Sequence, residues 1–394
     1  MQGACKCHPV RAGSPRSAVP RFPLVYAMYK LLRPLLFQLD AERAHDLGLR
    51  AAAWAQSLLP SVVESVYGYS DERLKQRLWG TSFPNPVGLA AGADKNAQLI
   101  PFWETVGFGF VEAGSVSARP SDGNPKPRAF RLERDEAVIN RMGLNNDGAE
   151  AVAQRLEDII RQKTVPLGVN IAKTHDPEIM GEAAVEDFRT TVRHVAPHAD
   201  YIALNVSCPN TREGKTFEDP ASLDALLETI AAAQTSHPGL KTPLLLKLSP
   251  PLSEKLVFDT QLEDLVAVAE AHEIDGFIAT NTASDRTGLS ASAENLERIG
   301  GGGLSGAPLQ ARATRLVRYL YRATDGRIPI IGVGGVRDVD SAYEKICAGA
   351  SLVQVYTGLI YEGPGLVRRI KEGLVDRVRE EGYANISDAV GSAA

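Results

Sequence analysis

Cysteine is scarce in this 394-residue chain. The four thiols, Cys5, Cys7, Cys208 and Cys347, are too few and too irregularly spaced for a zinc centre, a four-thiolate iron–sulfur cluster or a disulfide framework. Cys5-Lys6-Cys7-His8 offers two thiols and an imidazole, a thin basis for a metal clip. Long apolar runs are missing too. Nothing reaches the ~18 uninterrupted residues that a spanning helix needs, and the nearest candidate, 22–39, is broken by Lys30, Arg33 and Pro34. Acidic residues are absent from 1–39, which carries Lys6, Arg11, Arg16, Arg21, Lys30 and Arg33 and so stands at +6. The rest holds 37 basic against 48 acidic residues, or −11. The overall −5 gives no reason to expect nucleic acid as a partner. A basic start on an acidic body suits a targeting segment or contact with an anionic membrane surface.

What is present is ordinary globular material, 44% hydrophobic and 23% charged, enough for a large core. Residues 1–21 read as a basic, flexible tail. Residues 22–80 read as an N-terminal helical cap with a linker at 61–70. Within it, 22–39 predicts short amphipathic helices with Leu24, Leu31, Leu32, Leu35 and Leu36 on one side. Such a face lies either on a membrane surface or on the protein's own body.

From about residue 84, short β-branched runs alternate with stretches of helical length. Strands are expected at 87–91, 109–115, 167–171, 201–206, 244–248, 276–280, 328–333 and 352–356. Helical patterns lie between them, for example at 147–162, 253–272 and 339–348. Buried parallel strands read as continuous apolar runs, as PLLLKLS, PIIGVGG and SLVQVYTG do. Eight βα units over 81–394 predict an α/β fold, a (β/α)8 TIM barrel carrying the helical cap, with an open doubly wound sheet as the alternative. Polar residues collect where these strands end: Asp94-Lys95, Ser115, Asn170, Asn205, Lys247, Thr280-Asn281-Thr282, Gly334-Gly335 and Tyr356-Thr357. In barrels the carboxyl ends of the strands form the active face.

Gly332, Gly334 and Gly335 follow the seventh strand and precede a helix near Asp338, a common place for a phosphate to meet backbone N–H groups. Gly-Leu-Ser-Gly at 303–306 offers a second donor patch, although tight turns demand glycine in any case. The two patches with Tyr356-Thr357 point to a phosphorylated cofactor with a large ring system. Lys95 and Lys247 sit at strand ends, where the bland reading is a surface lysine. With Asn140, Asn170, Asn205, Asn210 and Asn281 they make an amide-and-ammonium cage suited to a heterocycle bearing carbonyls and a carboxylate. Single asparagines in loops are commonly turn residues. Cys208, in Asn205-Val206-Ser207-Cys208-Pro209-Asn210, is either a small buried hydrophobe or a proton acceptor among polar neighbours.

The runs NPVGLAAGADK, INRMGLNN, LGVNIAK, LNVSCPNT, ATNT, GGLSG, IPIIGVGGV and GASLVQVYTG together resemble the dihydroorotate dehydrogenases, from about Tyr29 onward. LFQLDAERAHDL resembles the membrane-facing cap of the quinone-reducing class 2 branch. The resemblance implies FMN held by Ala91, Gly92, Ala93, Asp94, Lys95, Ser115, Asn170, Asn205, Lys247 and Thr280, with its phosphate on Gly306, Gly335, Tyr356 and Thr357. It implies dihydroorotate held by Lys95, by Asn140, Arg141, Met142, Gly143 and Leu144, and by Asn205, Asn210, Asn281 and Thr282. Cys208 falls at the position of the catalytic base. His45, Arg131 and Tyr356 would line a quinone tunnel between cap and barrel. Orotate, a membrane quinone and peripheral membrane contact through the N-terminal helices follow, with no obligate protein partner. The implied location is the cytoplasmic face of a cell membrane, with the mitochondrial inner membrane as the alternative.

Three departures from the class 2 pattern stand out. Its base is usually serine, whereas Cys208 matches the soluble class 1 enzymes. TREGKTFED after Asn210 differs from the usual continuation, and Leu144 replaces a customary phenylalanine. The alternatives are a soluble, class 1-like enzyme using fumarate or NAD, a catalytically silent FMN- or pyrimidine-binding barrel, and a barrel dehydrogenating other pyrimidines.

Overall fold

The computed structural model describes residues 23–161, 163–207, 216–236, 238–250 and 260–394. Three helices come first: α1 (Pro23–Phe37), α2 (Ala41–Leu58) and α3 (Pro60–Tyr67). Two short strands follow, β1 (Gln76–Leu78) and β2 (Thr81–Phe83), then β3 (Val87–Leu89), α4 (Ile100–Val106) and β4 (Phe110–Val116). A hairpin of β5 (Ala129–Leu132) and β6 (Ala137–Asn140) precedes α5 (Ala149–Ile160), β7 (Leu167–Ile171), α6 (Glu182–Val195) and β8 (Tyr201–Asn205). The chain continues through α7 (Pro220–Ser236), β9 (Leu244–Leu248), α8 (Thr260–Ala271), β10 (Gly276–Ala279), α9 (Ala293–Ile299) and β11 (Gly303–Gly306). It closes with α10 (Gln310–Ala323), β12 (Ile330–Val333), α11 (Val339–Cys347), β13 (Leu352–Val355), α12 (Thr357–Glu362) and α13 (Gly365–Glu380).

Eight strands close a parallel barrel in the order β3-β4-β7-β8-β9-β10-β12-β13, and β13 pairs back onto β3. All eight expected strands are found, 167–171 and 244–248 with the expected ends and the others shifted by at most two residues. The seventh starts at Ile330 because Pro329 has no N–H for the ladder. The 61–70 linker is corrected: most of it is α3, begun by Pro60 in the first turn and ended at Gly68, whose N–H bonds to Glu64 O. The short helices expected in 22–39 are one helix, α1, which runs on past Pro34.

Period-two alternation sorts each barrel strand. In β8, Ile202 and Leu204 face the helices, while Tyr201, Ala203 and Asn205 face inward; in β9, Leu244, Leu246 and Leu248 face out. The lowest interior layer holds Phe110, Tyr201, Leu245, Ile331 and Leu352. Two strand glycines make room for it. A Cβ on Gly88 would stand 2.2 Å from the Phe110 ring, and one on Gly168 2.0 Å from the Tyr201 ring. The antiparallel β1–β2 hairpin closes the amino end of the barrel, where Trp79 lies 5.8 Å from Tyr201 and 5.9 Å from Phe83, ring to ring. The carboxyl end is crowned by β5, β6 and β11, an antiparallel sheet that pairs Gly303 with Asn140 and Gly306 with Ala137.

The cap docks through one face of α1. Tyr29 Oη donates to Ile360 O at 2.5 Å, Arg33 donates to Tyr361 O at 3.0 Å, and the Phe37 ring meets Tyr361 edge-on at 5.5 Å. These residues are spaced i, i+4, i+8, one face of the helix. The other face carries Leu31, Leu32 and Leu35, which are exposed, so they do not pack on the protein's own body.

Candidate active site

The same alternation that builds the core delivers polar groups to the barrel's upper interior. Above the aromatic layer, Glu112 of β4, Asn170 of β7, Lys247 of β9 and Gln354 of β13 converge. All four are buried. Glu112 accepts from Lys247 Nζ at 3.1 Å, Asn170 Nδ2 at 3.0 Å, Gln354 Nε2 at 2.7 Å and the Tyr201 hydroxyl at 3.1 Å. One step higher, the Ser115 hydroxyl donates to Asn170 Oδ1 and accepts from Asn205 Nδ2 at 3.0 Å. Asn281 Nδ2 donates to Asn205 Oδ1 at 3.1 Å and to Ser207 Oγ at 3.0 Å, and Ser207 Oγ donates to Lys247 O at 2.9 Å. The rim is therefore one connected set of amides, hydroxyls and an ammonium. Thr280 closes its own turn by donating to Asn281 O at 2.8 Å, and Thr282 N bonds to Asn281 Oδ1.

The segment after β3 lies at the edge of this rim. Gly92 has φ +99° and its N–H bonds to Gly114 O at 2.8 Å; a Cβ there would meet the Tyr356 ring at 3.4 Å. Ala91 is half-buried, while Ala93 packs into the core. The buried Asp94 carboxylate accepts from Gln98 N, Leu99 N and Trp103 Nε1, so its work is to shape this turn. Its pKa is raised, burial outweighing those bonds. Lys95 is different. Among the described residues its ammonium has no hydrogen-bond or ion-pair partner, and burial followed by repulsion from Arg128 brings its pKa down to about 8.

The second donor patch is corrected in form: 303–306 is the strand β11, not a loop. Gly306 has φ +103°, and a Cβ there would stand 2.3 Å from Glu136 O and 3.0 Å from Thr357 Cγ2. At Gly335, φ +76°, an added Cβ would collide with Gln310 N at 2.6 Å. Gly306, Gly335 and Gly358 line one depression with Arg337, which bonds to Glu136 at 3.0 Å. Thr357 Oγ1 donates to Ser305 Oγ at 2.9 Å across its edge.

The run from Asn140 to Leu144 leaves β6 over the rim. Asn140 Nδ2 reaches Gly303 O at 3.5 Å. The Arg141 guanidinium binds the carbonyls of Ile299, Gly301 and Pro127 and stacks 4.7 Å over Phe130, so it anchors the loop. Met142 O accepts from Asn124 N at 3.0 Å. Gly143 and Leu144 are both left-handed, φ +73° and +55°, an unusual state for a branched residue and one that local contacts must enforce. Cys208 and Asn210 lie outside the described residues, as do Cys5, Cys7, His8 and residues 253–259 of the expected 253–272 helix.

Cap and barrel meet beside Lys95. The ring of His45, on α2, lies 6.5 Å from that of Tyr356. Burial and the charge of Lys95 lower the pKa of His45 to about 4, which leaves the imidazole neutral near pH 7. Burial pushes the Tyr356 hydroxyl up to about 12. Arg131 donates to Phe37 O at 3.2 Å and to Leu39 O, and lies 4.7 Å over the Phe37 ring. It thus binds the carbonyl end of α1, where a cation suits the helix dipole.

The sequence alone did not single out Glu112, Tyr201, Gln354, Arg128 or Glu42. The signal for two of them was available. A glutamate in FVEAGSV and a glutamine in SLVQVYTG interrupt otherwise apolar buried strands at inward positions.

Comparison with known proteins agrees with this geometry. The family profile described as Dihydroorotate dehydrogenase matches residues 73–378. A protein named dihydroorotate dehydrogenase (quinone) from Gloeobacter violaceus is 43% identical over 367 residues, 93% of this chain and 99% of its own length. One of the same name from Natronomonas pharaonis is 45% identical over 366 residues, covering 92% and 99%. The ligand-free structure of DHODH from Eimeria tenella superposes with a TM-score of 0.77 at 35% identity, covering 90% of this chain and 99% of that one.

Proposed function

The chain belongs to the dihydroorotate dehydrogenase family, and on that premise we propose that it oxidises (S)-dihydroorotate to orotate in pyrimidine biosynthesis, with FMN as cofactor and a membrane quinone as final acceptor. The observation that carries the reading is the single connected rim of Ser115, Asn170, Asn205, Lys247 and Asn281, with the Lys95 ammonium, unpartnered among the described residues, beside it.

The residues suit FMN. Gly306 and Gly335 line one depression with Gly358, where bare backbone can meet a phosphate, and the rim amides match a ring system rich in carbonyl and N–H groups. Ala91, Gly92, Lys95, Ser115, Asn170, Asn205, Lys247 and Thr280 would hold the ring, and Gly306, Gly335, Tyr356 and Thr357 the phosphate end. Bound FMN supplies the two-electron acceptor for the hydride leaving C6 and the relay of those electrons to the quinone. The protein's part is orientation and electrostatics. Lys95 offers its charge to the substrate carboxylate and to negative charge developing on the pyrimidine, and Asn140, Asn205, Asn281 and Thr282 fix the ring by hydrogen bonds. Cys208 takes the C5 proton. A thiol, with an ordinary pKa near 8.5, needs less help for this than a hydroxyl.

The quinone reading is supported by where apolar surface lies. Of ten large exposed hydrophobic residues among those described, nine are in the cap or its turns: Leu31, Leu32, Leu35, Leu39, Leu47, Trp54, Leu58, Leu59 and Val62. Burying three of them in lipid would contribute on the order of 5 kcal/mol. No helix among the described residues is long and apolar enough to cross a membrane, so contact through this face is peripheral. His45 of α2 lies 6.5 Å, ring to ring, from Tyr356 and feels the charge of Lys95. Steady-state assays with a short-chain quinone, fumarate and NAD as competing acceptors test the proposal. Turnover with quinone is expected, and preference for fumarate or NAD would replace it with the class 1-like alternative that Cys208 suggests.

A further inference from the structure

Beneath the rim lies a charge that the mechanism above leaves without a task. Glu112 has none of its surface exposed, yet it accepts hydrogen bonds from four different strands. A buried ion pair is a weak source of stability, because desolvation offsets most of its attraction and an apolar replacement is often as stable. Folding alone does not account for it.

Its partners suggest the account. Two of the four donors, Asn170 and Lys247, belong to the cofactor set. A carboxylate only accepts, so Asn170 must turn its NH2 group down to Glu112 and its Oδ1 up to Ser115. The Ser115 proton is then committed to Asn170, and the Ser115 oxygen receives Asn205 Nδ2. Asn205 in turn presents Oδ1 to Asn281 Nδ2. Every donor in the series Asn281, Asn205, Ser115, Asn170 points toward Glu112. At the same time the carboxylate offsets the Lys247 ammonium, its closest cation at 3.1 Å.

We propose that Glu112 is a positioning residue for the cofactor: it fixes the donor direction of the rim amides and, by offsetting the Lys247 charge, holds the flavin's midpoint potential below the value an uncompensated lysine would impose. The inference rests on the FMN reading. A cation beside a flavin favours the electron-rich reduced form, so removing the compensating charge raises the potential.

The test uses the purified holoenzyme and its Glu112→Gln variant, with an anaerobic redox titration of the bound flavin, FMN affinity from fluorescence and thermal melting. Glu112→Gln should raise the ratio of reduced to oxidised flavin at a fixed potential about tenfold, which for a two-electron couple is about 30 mV. Tyr201→Phe removes one neutral donor from the same carboxylate; it should lower the melting temperature while leaving that ratio within twofold of wild type. A potential unmoved by Glu112→Gln, or moved equally by Tyr201→Phe, overturns the proposal. Should the glutamine variant not fold, Glu112→Asp keeps the charge and shortens the reach, and is expected to weaken FMN binding at least threefold at a potential close to wild type. Unchanged affinity there overturns it as well. Wild-type protein that binds no FMN would instead remove the cofactor reading itself.

Discussion

Glu42 of the cap and Arg128 of the barrel form a two-point ion pair, Oε1 to Nη2 at 2.8 Å and Oε2 to Nε at 3.2 Å, with both side chains buried. The same guanidinium donates through Nη1 to Asp122 O at 2.5 Å, Asn124 O at 2.9 Å and Met142 O at 3.5 Å. One side chain therefore ties α2 to the loop over the rim. Replacing Glu42 by alanine strands a buried cation and should destabilise the protein by about 3 kcal/mol. Urea denaturation measures the loss, and amide exchange should rise first in α2. Burial opposes ionisation of Glu42, but the bonds from Arg128 and Lys126 prevail and its pKa is lowered. Its contribution is thus present above the unfolded carboxylate pKa and fades as pH falls through the folded one. The alanine variant should show no such acid loss.

Lys95 gives the free enzyme a second titration. With its pKa near 8, the ammonium is largely charged at pH 7 and is lost as pH rises through about 8. KM for dihydroorotate should climb over that range, because the carboxylate loses a charged donor. Lys95→Ala should raise KM by tenfold or more at pH 7 and flatten its pH dependence, since a charged hydrogen bond contributes about 1.5–3 kcal/mol. A KM that still climbs through pH 8 in the variant would assign the titration elsewhere.

The exposed cap leucines make a separable prediction. Leu31 and Leu35 are 75% and 62% exposed, one helical turn apart on α1, and away from its docking residues. Leu31→Glu with Leu35→Glu should sharply reduce co-sedimentation with anionic phospholipid vesicles while leaving flavin reduction by dihydroorotate unchanged. Equal vesicle binding by the double variant would place the membrane contact on another surface.

Lys345 is wholly buried in α11, donates to Thr314 Oγ1 at 3.0 Å and Gln310 O at 3.3 Å, and is brought to about 7 by burial. The unfolded chain keeps a lysine near 10.4. Above pH 7 the unfolded state therefore holds more protons, and this residue's contribution to stability rises with pH, by about 1 kcal/mol per pH unit, until the unfolded lysine also titrates. Comparing urea midpoints at pH 7 and pH 9 for wild type and Lys345→Met checks this. The wild type should gain relative to the variant.

Much of this was legible beforehand, and the reason is periodicity. Runs such as LLLKL state both that a strand is buried on two sides and which residue turns inward, and so the sequence alone places Lys247 at a rim. Asn170, Asn205 and Asn281 were legible in the same way. What escaped was pairing between distant segments. That 303–306 is a strand depends on Asn140 and Ala137 lying opposite it, and no local pattern in Gly-Leu-Ser-Gly announces that. The helix at 60–67 looked like a linker because serine and β-branched residues have weak helix propensity, which Pro60 and packing on the neighbouring helices override. Arg128 and Glu42 are 86 residues apart and read as ordinary surface charges until the cap is docked.

Purified holoenzyme mixed anaerobically with dihydroorotate in a stopped-flow spectrometer should lose its oxidised-flavin absorbance within a turnover and recover it when a short-chain quinone is added, and Cys208→Ala should nearly abolish the first phase. Flavin that stays oxidised in the wild-type protein under dihydroorotate would contradict the central claim and leave a barrel that binds a flavin without this reaction.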